Sequence, residues 1–101
     1  MAELTPPHQC TTMQALRAEI DTLDAQLVDL LAVRASYIDR AIALKQAEGL
    51  PARIPARVEE VVTKVCAKAQ AAGLDPALSE ALWRKLIDWS IAREARVIDL
   101  N

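Results

Sequence analysis

The first half of the chain carries one apolar stripe that no helix-breaking residue interrupts. Apolar side chains recur at alternating spacings of four and three residues at Leu16, Ile20, Leu23, Leu27 and Leu30, and the register continues through positions 34, 37, 41 and 44. This heptad pattern is typical of a helix that buries one seam. Thr11 and Gln14 have the spacing of a capping box, and Gly49 and Pro51 are the first residues that would end the helix. The sequence therefore predicts one helix over about residues 12–48.

A helix of this length is too long for a chain of 101 residues to cover by itself. At about 1.5 Å per residue it extends for roughly 54 Å, whereas a compact globule of this size has a diameter of about 30–35 Å. Its apolar seam would stay in contact with water unless a second copy of the chain packed against it. We therefore expect an intertwined homodimer.

Two shorter helices are predicted after the long one. The second begins at Pro55 or Ala56 and stops at Gly73, while Asp75 and Pro76 supply an N-cap and a first-turn proline for a third helix that ends near Val97. With 52% hydrophobic, 26% charged and 3% aromatic residues, the composition excludes a β-sandwich, a β-barrel and a disordered chain. The predicted fold is all-α, with one long and two shorter helices in a single domain over residues 11–101, preceded by a flexible tail over residues 1–10.

Several classes of function are disfavoured by the same sequence. The net charge of −2 gives no basic field for nucleic acid or an anionic membrane, and no apolar stretch is long enough to span a bilayer. Neither a secretory signal nor a disulfide framework is visible, so we expect a cytoplasmic protein in which Cys66 is a small buried residue. His8 is the sole histidine and lies in the tail, so a metal site or a His-based catalytic triad is not expected, and no cofactor is predicted.

Charged residues occupy seam positions where apolar side chains are expected. Arg34 lies on the seam of the long helix, and Lys45 follows eleven residues later, within about 20° of Arg34 and roughly 16 Å further along the axis. A cation in an apolar stripe is costly unless it is paired or faces a polar cavity. Arg17 points about 100° away from Arg34, and we expect it to face the partner chain. Two arginines and a lysine indicate an anionic ligand.

The third helix has a similar anomaly. Ile87, Ile91 and Ile98 define an apolar stripe in which Glu94 occupies the missing position, with Ser90 one turn earlier. Simpler interpretations exist: Arg17 could pair with Asp21 on the surface, Arg34 could only fix the register of a helical bundle, and Glu94 could be a surface carboxylate. From periodicity alone, the chain is a helical dimer with an unexplained polar pocket.

The residues from Leu16 to Asp24 read LRAEIDTLD, and they are followed by LVDLLAVR over 27–34 and then by Lys45. This pattern resembles the all-helical chorismate mutase family, and Gly73 to Asp75 and Ser90 extend the resemblance to about residues 13–98. The resemblance implies an intertwined dimer of three-helix chains and a dicarboxylate substrate, chorismate, which is rearranged to prephenate. It also implies no metal and no cofactor, since a pericyclic rearrangement needs only orientation and fixed positive dipoles.

The resemblance also implies a role for each charged residue. Arg17 reaches from one subunit into the site of the other and binds a carboxylate, and Arg34 binds the second carboxylate from its own chain. Lys45 hydrogen-bonds the ether oxygen and a carboxylate, and Arg57 helps to close the pocket. Three residues of the third helix complete the set: Ser90 lies close to the substrate, Ile91 lines the wall, and Glu94 stands where most relatives carry a glutamine that donates to the ether oxygen.

Two departures from the family pattern bear on the reaction. Val58 and Ile54 stand at positions where many chorismate mutases carry acidic residues, and in both respects the chain resembles the isochorismate-pyruvate lyases, which share the fold and form salicylate and pyruvate. Glu94 can donate a hydrogen bond only when it is protonated. Chorismate mutase is the first hypothesis and isochorismate-pyruvate lyase the second, and a non-catalytic helical dimer with a regulatory or interaction role is a third.

Overall fold

A computed structural model describes residues 3–101, which contain three α-helices and no strand. Helix α1 spans Met13–Glu48, α2 spans Pro55–Ala72 and α3 spans Pro76–Glu94, with a single 3-10 turn at Pro7–Gln9 before them. The predicted all-α fold with one long and two shorter helices is confirmed. The 36 residues of α1 form one uninterrupted helix, because no proline or glycine breaks the run before Gly49.

Local side-chain and backbone signals set the helix ends. The Asp75 carboxylate accepts a hydrogen bond from the backbone N–H of Ala77 at 2.9 Å, and Gly73 closes α2 in the left-handed conformation with φ 78°. At the start of α1 the predicted cap is wrong by one residue. Thr12 rather than Thr11 accepts the backbone N–H of Ala15, at 3.1 Å, because the hydroxyl directly before the first helical residue is the one within reach of the third N–H.

The chain divides into two compact units, with the boundary between Tyr37 and Ile38 inside α1. The N-terminal unit comprises the described residues 3–37, in which the backbone N–H of Thr5 donates to the Glu19 carboxylate at 3.2 Å. Within the predicted tail, residues 1 and 2 lie outside the described residues, and the mobility of residues 3–10 stays a prediction. The C-terminal unit comprises residues 38–101 and contains the end of α1 with all of α2 and α3.

The core of the C-terminal unit lies between α2, α3 and the α1–α2 loop. Its buried apolar residues are Ala52, Val62, Ile87 and Ile91, and several partly buried side chains pack against them, namely Val58, Val61, Cys66, Ala95 and Ile98. Ser79 is 2% exposed, and its small side chain allows α2 and α3 to approach closely. Cys66, which the sequence predicts to be buried, is only partly buried. Both cysteines are free thiols.

The N-terminal unit leaves the predicted seam of α1 uncovered. Ile20, Leu23, Leu27 and Leu30 are between 40% and 58% exposed, although they recur on one helix face. Exposed apolar side chains that are contiguous along a face mark a surface that another molecule covers.

None of the helices in residues 3–101 is both long and apolar enough to cross a membrane.

Candidate active site

The centre of the candidate site is an ion pair between α1 and α3 in the C-terminal unit. Lys45 Nζ lies 2.6 Å from Glu94 Oε1, and the two side chains are 19% and 5% exposed. Glu94 is thus buried and not the surface carboxylate of the simpler interpretation. The contact has the distance of an ion pair without the directionality of a hydrogen bond, since Glu94 Oε1 has no hydrogen-bond partner among the described residues.

The ammonium group of Lys45 has a second fixed partner in the α1–α2 loop. Its Nζ donates to the backbone carbonyl of Ala52 at 2.9 Å. The Ala52 carbonyl takes one of the three N–H donors of the ammonium, and the Glu94 carboxylate at 2.6 Å blocks the access of a ligand to another, so one donor is left for a ligand. The partly exposed Lys45 side chain can therefore bind an oxygen atom of a ligand while the protein holds its position. Sequence reasoning did not identify the Ala52 carbonyl, because a backbone acceptor leaves no side-chain signal.

Three further predicted site residues lie in the same unit. Ser90 is 4% exposed and its hydroxyl donates to the carbonyl of Leu86 at 2.9 Å, one turn before Glu94. Ile91 is buried in the core, and Val58 is partly buried against the same core. Helix α3 therefore presents Ser90, Ile91 and Glu94 within little more than one turn.

Arg57 forms a local pair on its own helix. Its guanidinium donates to the carboxylate of Glu60, which Lys64 also approaches at 3.6 Å. The hydrogen bond from Arg57 is the main reason why the pKa of Glu60 lies below its ordinary value. The Arg57 side chain is 61% exposed, so a ligand carboxylate could replace Glu60 at little cost.

The other two predicted arginines belong to the N-terminal unit. Arg17 is exposed on α1 and makes no ion pair within residues 3–101, so the alternative Arg17–Asp21 surface pair is not formed. Arg34 is partly buried and is engaged by neighbouring groups. Both residues lie on α1, as the spacing predicts.

Two open clefts border the C-terminal unit. One of about 380 Å³ contains only Lys45 of the predicted site residues, together with Gln46, Gly49, Leu50, Pro51, Val97, Ile98, Asp99 and Asn101. The other, of about 260 Å³, contains Val58 and is lined also by Arg53, Pro55, Glu59, Arg84, Ile87 and Asp88. Of the two arginines in the second cleft, Arg84 is paired with Glu59 and Glu80, whereas Arg53 forms no ion pair within residues 3–101. Neither cleft alone offers the unpaired positive charges that a dicarboxylate requires.

A second ion pair joins α1 and α3 next to Glu94. The Arg93 guanidinium donates to both carboxylate oxygens of Asp39 and lies 5.4 Å from the centre of the Trp89 ring. The hydrogen bond from Arg93 holds the pKa of Asp39 below its ordinary value. The pair connects α1 to the residue before Glu94 and so restricts how α3 presents that carboxylate.

This pair predicts a specific pH dependence of stability. Because the pKa of Asp39 is lower in the folded chain, its contribution is present above the ordinary value of 3.8 and disappears as the pH falls through the lower folded value. We expect Asp39→Asn to reduce the free energy of unfolding at pH 7 and to lose that difference near pH 2, as measured by urea denaturation. Asp29→Asn, at an exposed position on the same helix, should have little effect at either pH; an equal effect of the two variants would contradict the prediction.

The chain is similar in sequence to one described family and to several known proteins. Residues 16–95 match the family described as chorismate mutase type II. The chain is 32% identical over 91 residues to the isochorismate pyruvate lyase of Pseudomonas aeruginosa, covering 89% of this chain and 88% of that protein. It is 33% identical over 82 residues to the T-protein of Enterobacter agglomerans and 32% identical over 82 residues to that of Haemophilus influenzae. These two matches cover 81% of this chain but only 22% of either T-protein.

The matched region contains Arg17, Arg34 and Arg57 together with the Lys45–Glu94 pair, and it includes all of α2 and α3. The family match covers most of the chain, and the similar protein of Pseudomonas aeruginosa is of nearly equal length and 32% identical. Both comparisons indicate the same family. The chain belongs to the chorismate mutase type II family.

Proposed function

We propose that the protein is a chorismate mutase, which converts chorismate to prephenate. The observation that carries this proposal is the Lys45 ammonium, fixed by Ala52 and Glu94 with one donor to spare, in a chain of the chorismate mutase family. In this reaction an ether C–O bond breaks while a C–C bond forms within the same molecule. Because no proton, electron or group leaves the substrate, the enzyme needs neither a nucleophile nor a metal.

The charged residues supply what such a reaction does need. Chorismate carries two carboxylates, and its ether oxygen gains negative charge as the bond breaks. In the proposed complex Arg34 binds one carboxylate from its own chain, and Arg17 of the partner subunit binds the other. Arg57 releases Glu60 and pairs with a ligand carboxylate instead. Lys45 donates to the ether oxygen with its remaining N–H. Fixed donors of this kind stabilise the transition state more than the ground state, because the charge they meet grows during the reaction.

We further propose that the functional unit is a homodimer. The exposed face of α1 in the N-terminal unit supports this, since Ile20, Leu23, Leu27 and Leu30 lose contact with water only if another chain covers them. Sedimentation equilibrium should give about twice the chain mass of 11.1 kDa at micromolar concentration. A monomer mass under these conditions would contradict the dimer.

The protonation state of Glu94 predicts the pH dependence of turnover. A carboxylate cannot donate to the ether oxygen, whereas a carboxylic acid can. Glu94 Oε1 lies 2.6 Å from Lys45 Nζ, so the carboxyl group stands beside the position proposed for the ether oxygen. We expect turnover to rise as the pH is lowered toward mildly acidic values, because only the protonated carboxyl group donates a hydrogen bond.

The matched control is Glu94→Gln, which preserves shape and donates at every pH. The pH–rate profile of this variant should be flat over the range in which the wild-type rate falls, and its rate should exceed that of the wild type on the alkaline side. Profiles of the same shape for both proteins would show that Glu94 ionisation does not control turnover.

Isochorismate-pyruvate lyase is the second candidate function, and specific observations favour it. Val58 is apolar and packed against the core, where many mutases carry an acid, and the lyase of Pseudomonas aeruginosa matches this chain over nearly its whole length. Both reactions begin from a dicarboxylate with an ether oxygen beside Lys45, so the same donors serve either one. The substrate that reacts faster therefore distinguishes the two functions.

A paired assay tests the proposed function. Purified protein is mixed with chorismate while the loss of chorismate absorbance is followed, and with isochorismate while salicylate fluorescence is followed. Faster consumption of chorismate with formation of prephenate supports the mutase, and faster formation of salicylate supports the lyase. Absence of turnover with both substrates would overturn both functions in favour of a non-catalytic helical dimer.

A further inference from the structure

The polypeptide after α3 turns back toward the α1–α2 loop. Helix α3 ends at Glu94, and the backbone N–H groups of Val97 and Ile98 each donate to the Glu94 carbonyl at 3.0 Å. These bonds close a turn directly after the buried carboxylate. The segment that follows, residues 98–100, is termed the strap.

The strap pairs with the loop through two backbone hydrogen bonds. The N–H of Ala52 donates to the Asp99 carbonyl and the N–H of Arg53 donates to the Leu100 carbonyl, both at 2.8 Å. Ala52 is 2% exposed, and Ile98 packs against the same core cluster. The strap therefore fixes the backbone of the loop at the residue whose carbonyl accepts from Lys45.

The two protein partners of the Lys45 ammonium are also linked to each other through the strap. The Lys45 ammonium contacts Glu94 Oε1 at 2.6 Å and the Ala52 carbonyl at 2.9 Å. Ala52 is bonded in turn to Asp99 in the strap, which begins at the turn closed on the Glu94 carbonyl. Both protein partners of the ammonium are thus connected through the strap. A lysine side chain has four rotatable bonds, so its ammonium keeps one position only where its partners are themselves fixed.

We propose that the strap consists of positioning residues, which hold the Ala52 carbonyl and thereby direct the remaining N–H of Lys45 toward the substrate. Asp99 and Leu100 act through their backbone carbonyls and do not touch the substrate. The proposal rests on the proposed function, because it assigns a purpose to the fixed ammonium. A displacement of about 1 Å in a positioned catalytic group can reduce the rate by about 10²-fold. We therefore expect loss of the strap to lower kcat and to leave KM nearly unchanged.

A graded truncation series tests the strap. Deleting Asn101 leaves both acceptor carbonyls, deleting residues 100–101 removes the acceptor for Arg53, and deleting residues 99–101 removes both acceptors. Each truncated chain ends in one carboxylate, and the third variant also loses the Asp99 side-chain carboxylate, so its activity is compared with that of a variant in which Asp99 is replaced by alanine. We expect wild-type kcat for the first variant, a drop of severalfold for the second and a drop of about 10- to 100-fold for the third, with KM changed by less than about threefold. Wild-type kcat in the third variant would overturn the proposal.

Two further measurements separate positioning from a loss of folding and from a wrong function. Activities are compared well below each melting temperature, and the double variant Asp99→Ala/Leu100→Ala, which retains both carbonyls, should keep wild-type kcat. NMR of the Lys45 ammonium reports on the strap without any substrate. Its signal should be detectable in the full chain and in the chain lacking Asn101, and it should be lost to fast exchange in the chain lacking residues 99–101.

An unchanged ammonium signal in the shortest chain would overturn the proposed role of the strap, whatever the measured activity. If the full chain turned over neither chorismate nor isochorismate, the proposed function would fail, while the ammonium signal would still decide whether the strap positions Lys45.

Discussion

Replacing Arg34 by alanine is expected to lower kcat/KM for chorismate by about 10³-fold while the chain stays folded and dimeric. The partly buried guanidinium is the group proposed to bind one substrate carboxylate, and a bidentate pair of this kind both binds and orients. Arg34→Lys keeps the charge but not the planar pair of donors, so it should recover only part of the lost rate. Steady-state kinetics, circular dichroism and sedimentation of the same preparations provide the comparison.

The control for this variant lies on the same helix. Arg40 is exposed on α1 in the C-terminal unit, and Arg40→Ala removes an equal charge from a position with no proposed role. Its kcat/KM should stay within about twofold of the wild-type value. If Arg34→Ala unfolds or dissociates, the simpler hypothesis that Arg34 fixes the register of the helical bundle becomes the better one.

The helices were predictable because their signals are local. Asp75 followed by Pro76 specifies an N-terminus whatever the tertiary structure, and Gly73 specifies the preceding C-terminus because it adopts a positive φ at no steric cost. The length of α1 follows equally from a stripe with no breaker. The misplaced cap at Thr11 shows the limit of this reasoning, since two adjacent threonines differ only in which one reaches the free N–H.

The contacts that build the candidate site were harder to predict because they join distant residues. Lys45 and Glu94 each stood out as charges on an apolar seam, yet their separation of 2.6 Å depends on how α1 and α3 pack. The hydrogen bond between Ala52 and Asp99 involves only backbone atoms, so no residue type in the sequence indicates it. Arg57 pairs with Glu60, three residues away on the same helix, and this spacing was visible in the sequence although its importance was not.

A subunit-mixing experiment should restore activity from two inactive variants. We expect Arg17→Ala and Arg34→Ala each to be nearly inactive alone, because each removes one carboxylate ligand from both sites of the proposed homodimer. A mixed dimer has one subunit with Arg34 intact whose site receives an intact Arg17 of the partner subunit. Its other site lacks both arginines.

The expected recovery follows from the statistics of exchange. Equal amounts of the two variants that exchange subunits at random give about half mixed dimers, each with one of two sites intact, so the mixture should reach about a quarter of wild-type activity. The exposed position of Arg17 on α1 supports a role outside its own chain, since nothing in residues 3–101 pairs with it. Activity is measured after the mixture is unfolded and refolded together, with separately refolded variants as the baseline.

The matched control is a double variant mixed with the wild type. Chains with both Arg17→Ala and Arg34→Ala, mixed in equal amounts with wild-type chains, give mixed dimers in which each site lacks one arginine, so only the quarter of dimers that are wholly wild type should be active. Both mixtures should therefore reach about a quarter of the wild-type rate, although only the second contains any wild-type chain. If Arg17 instead served the site of its own chain, the mixture of single variants would stay at the baseline while the control mixture rose to about half, because every wild-type chain would then carry an intact site.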